Sequence, residues 1–169
     1  GVPCLVAVAQ NASGNALEVE EAITARSGEG PDDLVAVTLA LSAEMLLLAG
    51  VESDREVAST RLRKALKSGE AAEQFRRIIE RQGGDSSVLD DPALLPQAAE
   101  CELCIAPRAG FVQRVEPRAV GRGVVALGGG RNTMADTIDP AVGFVITVKP
   151  GDWVEGGEPL ASINARDRA

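Results

Sequence analysis

Histidine and tyrosine are both missing from this chain. Their absence removes Ser-His and Cys-His nucleophile pairs, histidine metal sites and the commonest general base together. Any chemistry here has to come from carboxylates, lysine, arginine or backbone groups. Aromatic residues make up only 2% of the chain, and the formal net charge is -8. There is thus neither a basic field to draw in a polyanion nor a platform for stacking bases, and nucleic acid is not an expected partner. Long apolar runs are scarce as well. The most apolar stretch, Leu34 to Ala49, is broken by Thr38, Ser42 and Glu44 and falls short of the roughly 20 residues that a membrane span needs. No basic, cleavable leader is visible either. No membrane partner is expected, and the expected location is cytoplasmic.

What is present suffices for a folded domain. With 169 residues and 45% apolar content, the chain can bury one core or two small ones. Its pattern divides near residue 100, giving two expected domains, 1–99 and 100–169. "GVPCLVAVA" at the start reads as a buried strand of the parallel type, whose neighbours normally come from earlier βα units, so the chain reads as the end of something larger. Four helices should follow. In the first, Asn15 is the expected N-cap with Glu18 as capping-box partner, running to Ser27 and stopped by Gly28. The second starts with Pro31 at its first position, carries Asp32 and Asp33 at the positive end of its dipole and closes at Gly50. Its apolar residues occupy most faces, which predicts a buried central helix. Ser53 and Glu56 suggest another capping box, opening a third helix that ends at Gly69. A fourth ends at Gly83, and Pro92 and Pro96 mark a connection. From Glu100 to Ala165 the period changes to two. "CELCIAPRAGFVQRV", "RGVVALGGG" and "VGFVITVKPGDWVEGGEPLASINA" read as short β runs separated by glycine turns, a compact β module.

Several motifs invite a chemical reading. Cys101 and Cys104 have CxxC spacing. On a strand their side chains point to opposite faces, and no second pair completes a metal site, so they read as ordinary strand cysteines. "KPGDWVEGGEPLASI" resembles half of a biotinyl or lipoyl carrier domain, but its one lysine, Lys149, lies just before the Pro-Gly turn instead of at a hairpin tip. A carrier or binding module is the alternative reading. "GGGRNT", from Gly128, Gly129, Gly130 and Arg131 onward, lacks the spacing of a phosphate-binding P-loop. It reads either as a mobile lid whose arginine reaches a cleft or as a plain surface loop between strands.

Four segments then converge. "GNALEVEEA" (Gly14 to Ala22), "GEGPDDLVAVTLALSAEMLLLAG" (Gly28 to Gly50), "VVALGGGR" with "DTIDPAVGF" (Val124 to Phe144) and "PGDWVEGGEPLASI" together resemble the carboxy-terminal half of the thymidine and pyrimidine-nucleoside phosphorylases. The resemblance covers nearly the whole chain, in family order. It implies an α/β enzyme (α+β for this portion alone) whose helical segment is followed by a β-sandwich module, a lipoyl-like barrel-sandwich hybrid. The parent enzyme would be a homodimer that cleaves thymidine or uridine with phosphate as co-substrate, giving the free base and a pentose 1-phosphate. No organic cofactor is implied. The family's glycine-rich phosphate signature and the residues that grip the pyrimidine have no counterpart here, so no catalytic or substrate-binding residue is matched and the chain alone is expected to be inert. Two features carry over. Glu21 matches a glutamate that ligates a structural monovalent cation, potassium, with the Ala12 backbone carbonyl as a second donor; otherwise Glu21 is a solvated helix carboxylate. The Gly128–Arg131 loop becomes a lid or interdomain strut, with Arg131 as its polar contact.

Overall fold

The computed structural model describes residues 12–26 and 30–167. The strand expected over "GVPCLVAVA" and the helix stop at Gly28 lie outside the described residues. The described residues form two compact units, residues 21–94 in one and residues 12–20 with 95–167 in the other. The whole is a mixed helix and sheet protein.

The first unit is helical. It holds the end of α1 (Asn15–Arg26), then α2 (Asp32–Leu48), α3 (Arg55–Ser68), α4 (Glu70–Arg81) and two 3₁₀ turns at Ser86–Leu89 and Pro92–Leu94. Capping explains the boundaries, with shifts from the sequence expectation. Pro31 precedes α2 as its N-cap, accepting the Val35 amide at 3.0 Å. At the other end the Gly50 amide donates to Leu47 and the Val51 amide to Leu46, a Schellman closure that satisfies carbonyls the helix cannot. The cap of α3 is Asp54, not Ser53: its Oδ1 accepts from the Glu56 and Val57 amides at 2.8 and 2.9 Å. A carboxylate there also meets the positive end of the helix dipole, which favours it over the neighbouring hydroxyl. Arg76 on α4 holds the first 3₁₀ turn, donating to Asp90 at 2.7 Å and to the Ser86 carbonyl at 3.3 Å.

The expectation of a buried central helix fails for α2. Leu39 and Ala43 are buried, while Leu41, Met45 and Leu48 are 61%, 68% and 87% exposed. A helix apolar on most faces needs neighbours on most faces, and the described residues supply them on one side of α2.

The second unit is built on a four-stranded antiparallel sheet in the order β1-β4-β6-β2, with a separate ribbon of β3 and β5. The strands are β1 (Ala12–Ser13), β2 (Glu100–Ile105), β3 (Gly110–Phe111), β4 (Gly143–Ile146), β5 (Trp153–Val154) and β6 (Pro159–Ala165). Register pairs Phe144 with Ile163 and Ile146 with Ala161, and on the other side of β6 pairs Cys104 with Ala161. These side chains therefore share one face. Val142, just before β4, is fully buried, with Ala141, Ala106, Val154, Ala165 and Ala16 also in the core.

The first residues of α1 dock here. Gly14 has φ +148°, and a Cβ on it would lie 2.4 Å from the Val142 carbonyl oxygen, so only glycine lets the two backbones approach. The Gly14 carbonyl accepts the Glu18 amide at 2.8 Å and its amide donates to the Glu18 carboxylate at 3.4 Å. The N-cap is thus Gly14, one residue before the expected Asn15, because close packing against Val142 fixes where the helix can start.

A second correction concerns "RGVVALGGG". It was expected as a strand, and it forms the end of α5 (Pro117–Ala126) followed by a turn. Pro117 stands at the head of the helix, where its lost amide costs nothing and its φ is already helical. Val124 and Val125 favour strands by propensity, but packing overrides them: Gly123 brings the helix so near β4 that a Cβ would sit 2.9 Å from the Phe144 ring.

Candidate functional site

The glycine-arginine segment follows from how α5 ends. Gly128 adopts φ +94°, the left-handed turn that stops a helix, while the Gly129 amide donates to Val124 at 2.8 Å and the Gly128 amide to Val125 at 3.0 Å. The chain folds back so tightly that a Cβ on Gly129 would lie 2.8 Å from Val124, and one on Gly130 would lie 2.6 Å from Val125. The three glycines therefore serve a helix stop and a return along α5, between a helix and a strand. Arg131 emerges from this turn exposed to solvent, and it makes no ion pair among the described residues.

Beyond Arg131 the loop is laced by two aspartates. Asp136 accepts the Asn132 and Thr133 amides at 2.8 and 2.9 Å and the Thr133 hydroxyl at 2.6 Å. The Thr133 hydroxyl first, then the Thr133 and Asn132 amides, hold its carboxyl below the usual range. The Asp139 amide donates to the Gly128 carbonyl at 2.9 Å, closing the loop at its base. The Asp139 carboxylate takes both arms of Arg166, at 2.5 and 2.9 Å, and the Ala141 amide at 3.0 Å. Its carboxyl is lowered chiefly by that guanidinium and next by the amide. Arg166 also donates to the Gln97 carbonyl at 3.2 Å, so one side chain ties together the start of the β unit, the loop and the end of β6. Asp136, Asp139 and Arg166 were not singled out from sequence. The polar string "DTIDP" was the available signal, but a partner 27 residues away leaves no local trace.

The other candidates stand apart from this loop. Cys101 and Cys104 both lie on β2, free and exposed. Among the described residues no group of three or more carboxylates, cysteines or histidines could hold a metal ion. Lys149 opens the Pro150-Gly151 turn, where its amide donates to Asp152 at 2.8 Å and its carbonyl accepts the Asp152 amide at 3.0 Å. Glu21 lies in α1, and its carbonyl accepts the Thr24 hydroxyl at 2.9 Å. Ala12 pairs with Val145 in β1. Among the described residues no helix is long and apolar enough to cross a membrane.

The loop after α5, closed on itself by Asp136 and Asp139, is set on a small antiparallel sheet. Comparison with known proteins says which kind of module this is. Residues 111–169 match the family model described as "Pyrimidine nucleoside phosphorylase C-terminal domain". The chain is 44% identical over 154 residues to the pyrimidine-nucleoside phosphorylase of Bacillus subtilis (strain 168), which covers 91% of this chain and 36% of that protein. It is 45% identical over 152 residues to the pyrimidine-nucleoside phosphorylase of Geobacillus stearothermophilus, covering 90% of this chain and 35% of that protein. With the thymidine phosphorylase of Burkholderia orbicola (strain MC0-3) it shares 46% identity over 159 residues, 93% of this chain and 36% of that protein. The chain thus resembles the carboxy-terminal portion of these phosphorylases along most of its length, and spans little more than a third of the length of the curated relatives it matches.

Proposed function

We propose that this chain is the carboxy-terminal portion of a pyrimidine-nucleoside phosphorylase, an enzyme that uses phosphate to cleave thymidine or uridine into the base and a (deoxy)ribose 1-phosphate. The match along about nine-tenths of the chain carries this reading. In such a reaction, positioning and charge stabilisation do most of the work as a cleft closes over the substrates. The contribution of this portion is a scaffold: a lipoyl-like barrel-sandwich unit that presents the Gly128–Arg131 turn, braced by Asp136 and Asp139, as a lid or interdomain strut. Arg131, exposed and without an ion pair among the described residues, is placed to meet an anionic group when the cleft closes. The parent enzyme is a cytoplasmic homodimer in this reading.

The decisive experiment is phosphate-dependent release of thymine from thymidine. The purified 169-residue chain is expected to be silent, and a longer polypeptide carrying the phosphate signature of the relatives is expected to be active. Turnover by the 169 residues alone overturns the assignment of chemistry to the missing portion, and silence of the longer polypeptide overturns the enzyme reading.

We propose Glu21, whose carboxylate is a hard oxygen donor of the kind that holds an alkali-metal cation, as a ligand of a structural potassium site. Potassium is expected to raise Tm more than sodium does, and Glu21→Gln to erase the difference. An unchanged response in the variant refutes the site.

A further inference from the structure

The β unit contains an open apolar cleft of about 810 Å³, within the size range of small-molecule sites. Its floor is the sheet face on which Phe144, Ile146, Ala161, Ile163 and Cys104 come together by register. Its wall is the β3–β5 ribbon, through Phe111, Val112 and Val154. Aromatic residues are rare in this chain, which has three phenylalanines and one tryptophan. Phe111 and Phe144 line the cleft, and Trp153 meets Phe111 edge to face with ring centroids 4.9 Å apart. Phe111 and Trp153 nevertheless remain 62% and 53% exposed, so the mouth of the cleft is apolar and open.

Two arginines are also among the residues that line this cleft, in a chain whose net charge is -8. Arg108 precedes β3 and Arg114 follows it. Arg108 makes no ion pair among the described residues, and Arg114 reaches only Glu116, at 3.8 Å with both side chains exposed. In the turn beside Arg108, Glu155 accepts the Trp153 indole N–H at 2.9 Å and Glu158 accepts the Glu155 amide at 2.8 Å, so both carboxylates are held by neutral donors within their own turn. Glu102, which pairs with Ile163 on the same sheet face, does not line the cleft. An apolar trough with two arginines in its lining, Arg108 among them without an ion pair among the described residues, complements a molecule with an apolar tail and an anionic head.

We propose that this cleft is a binding site for a medium-chain alkyl carboxylate, its tail on the Phe144–Ile163 face and its head between Arg108 and Arg114. The proposal does not rest on the phosphorolysis reading.

The test is titration of the purified 169-residue chain with octanoate, decanoate and dodecanoate below their micellar concentrations, read by calorimetry and by Trp153 fluorescence. One-to-one binding is expected, tightening about fourfold for each added methylene. Decyltrimethylammonium, with the same tail and the opposite charge, is expected to bind on the order of tenfold more weakly than decanoate, and the double substitution Arg108→Gln, Arg114→Gln to weaken decanoate by a similar factor. Ala161→Trp should block the floor and abolish binding. Absence of saturable binding, equal affinity for the cationic amphiphile, or an affinity unmoved by the arginine substitutions overturns the proposal. If Ala161→Trp does not fold, the arginine pair decides alone, since both positions are exposed and tolerate substitution.

Discussion

At the scale of single residues, Asp139 has the most consequential set of contacts. Its carboxylate joins Arg166 and the Ala141 amide, and both hold its pKa down. A carboxyl that binds its proton less readily in the folded chain than in the unfolded one adds stability above the unfolded value, near 3.9, and that stability is lost as pH falls through the lower folded value. Asp136, lowered by Thr133 and Asn132, acts in the same direction. Stability in urea is therefore expected to fall as pH drops below the ordinary carboxylate value near 3.9. Asp139→Asn should lower it at neutral pH and flatten that fall; an unaltered pH profile in the variant means that the clamp contributes nothing. Sequence showed these aspartates only as a polar string, because Asp139 acquires its role from a guanidinium that the fold brings to it. Arg131, by contrast, was legible as an exposed cation in a glycine turn, since both properties are local.

At the scale of elements, two glycines separate two kinds of constraint. A Cβ on Gly128 meets nothing within 4 Å, and only its φ of +94° resists substitution. Gly128→Ala should then cost about 1 kcal/mol, the strain of a left-handed residue. Gly14 is blocked by a carbonyl oxygen 2.4 Å from its absent Cβ, so the backbone itself must move and Gly14→Ala should cost more than Gly128→Ala. Chemical denaturation of the two variants checks the order, and equal losses would show that α1 can shift its start freely. The helix ends at Gly50, Gly69 and Gly83 were legible because a glycine stop is written in the residue itself. The starts slipped by a residue, since adjacent candidates such as Ser53 and Asp54 compete and only the folded geometry chooses. The strand reading of Val124 and Val125 failed for a related reason: local β propensity is weaker than the contact of Gly123 with the Phe144 ring.

At the scale of the whole molecule, the exposed face of α2 answers to the short coverage of the relatives. Leu41, Met45 and Leu48 form an apolar surface of the kind that monomeric proteins seldom leave open, and it fits a helix that packs against further polypeptide in a longer enzyme. Leu48→Gln is thus expected to change the stability of the 169-residue chain by less than about 0.5 kcal/mol, as exposed sites do, and to cost several times more in a longer phosphorylase. A large loss in the short chain would show that the face is already covered. The apolar content of this helix was plain from sequence; what it packs against was not, since a hydrophobic face specifies burial without naming the partner.

The order of the sheet has a consequence for synthesis. β6 lies between β4 and β2, so the strand made last of the four joins those made before it. A nascent chain whose residues up to 158 have left the exit tunnel holds β1 paired with β4 and a β2 with no neighbour in the sheet. Assembly of this unit therefore waits for Pro159–Ala165 to leave the exit tunnel, and a nascent chain stalled short of that point carries an open β2 edge available to holdase chaperones or proteases.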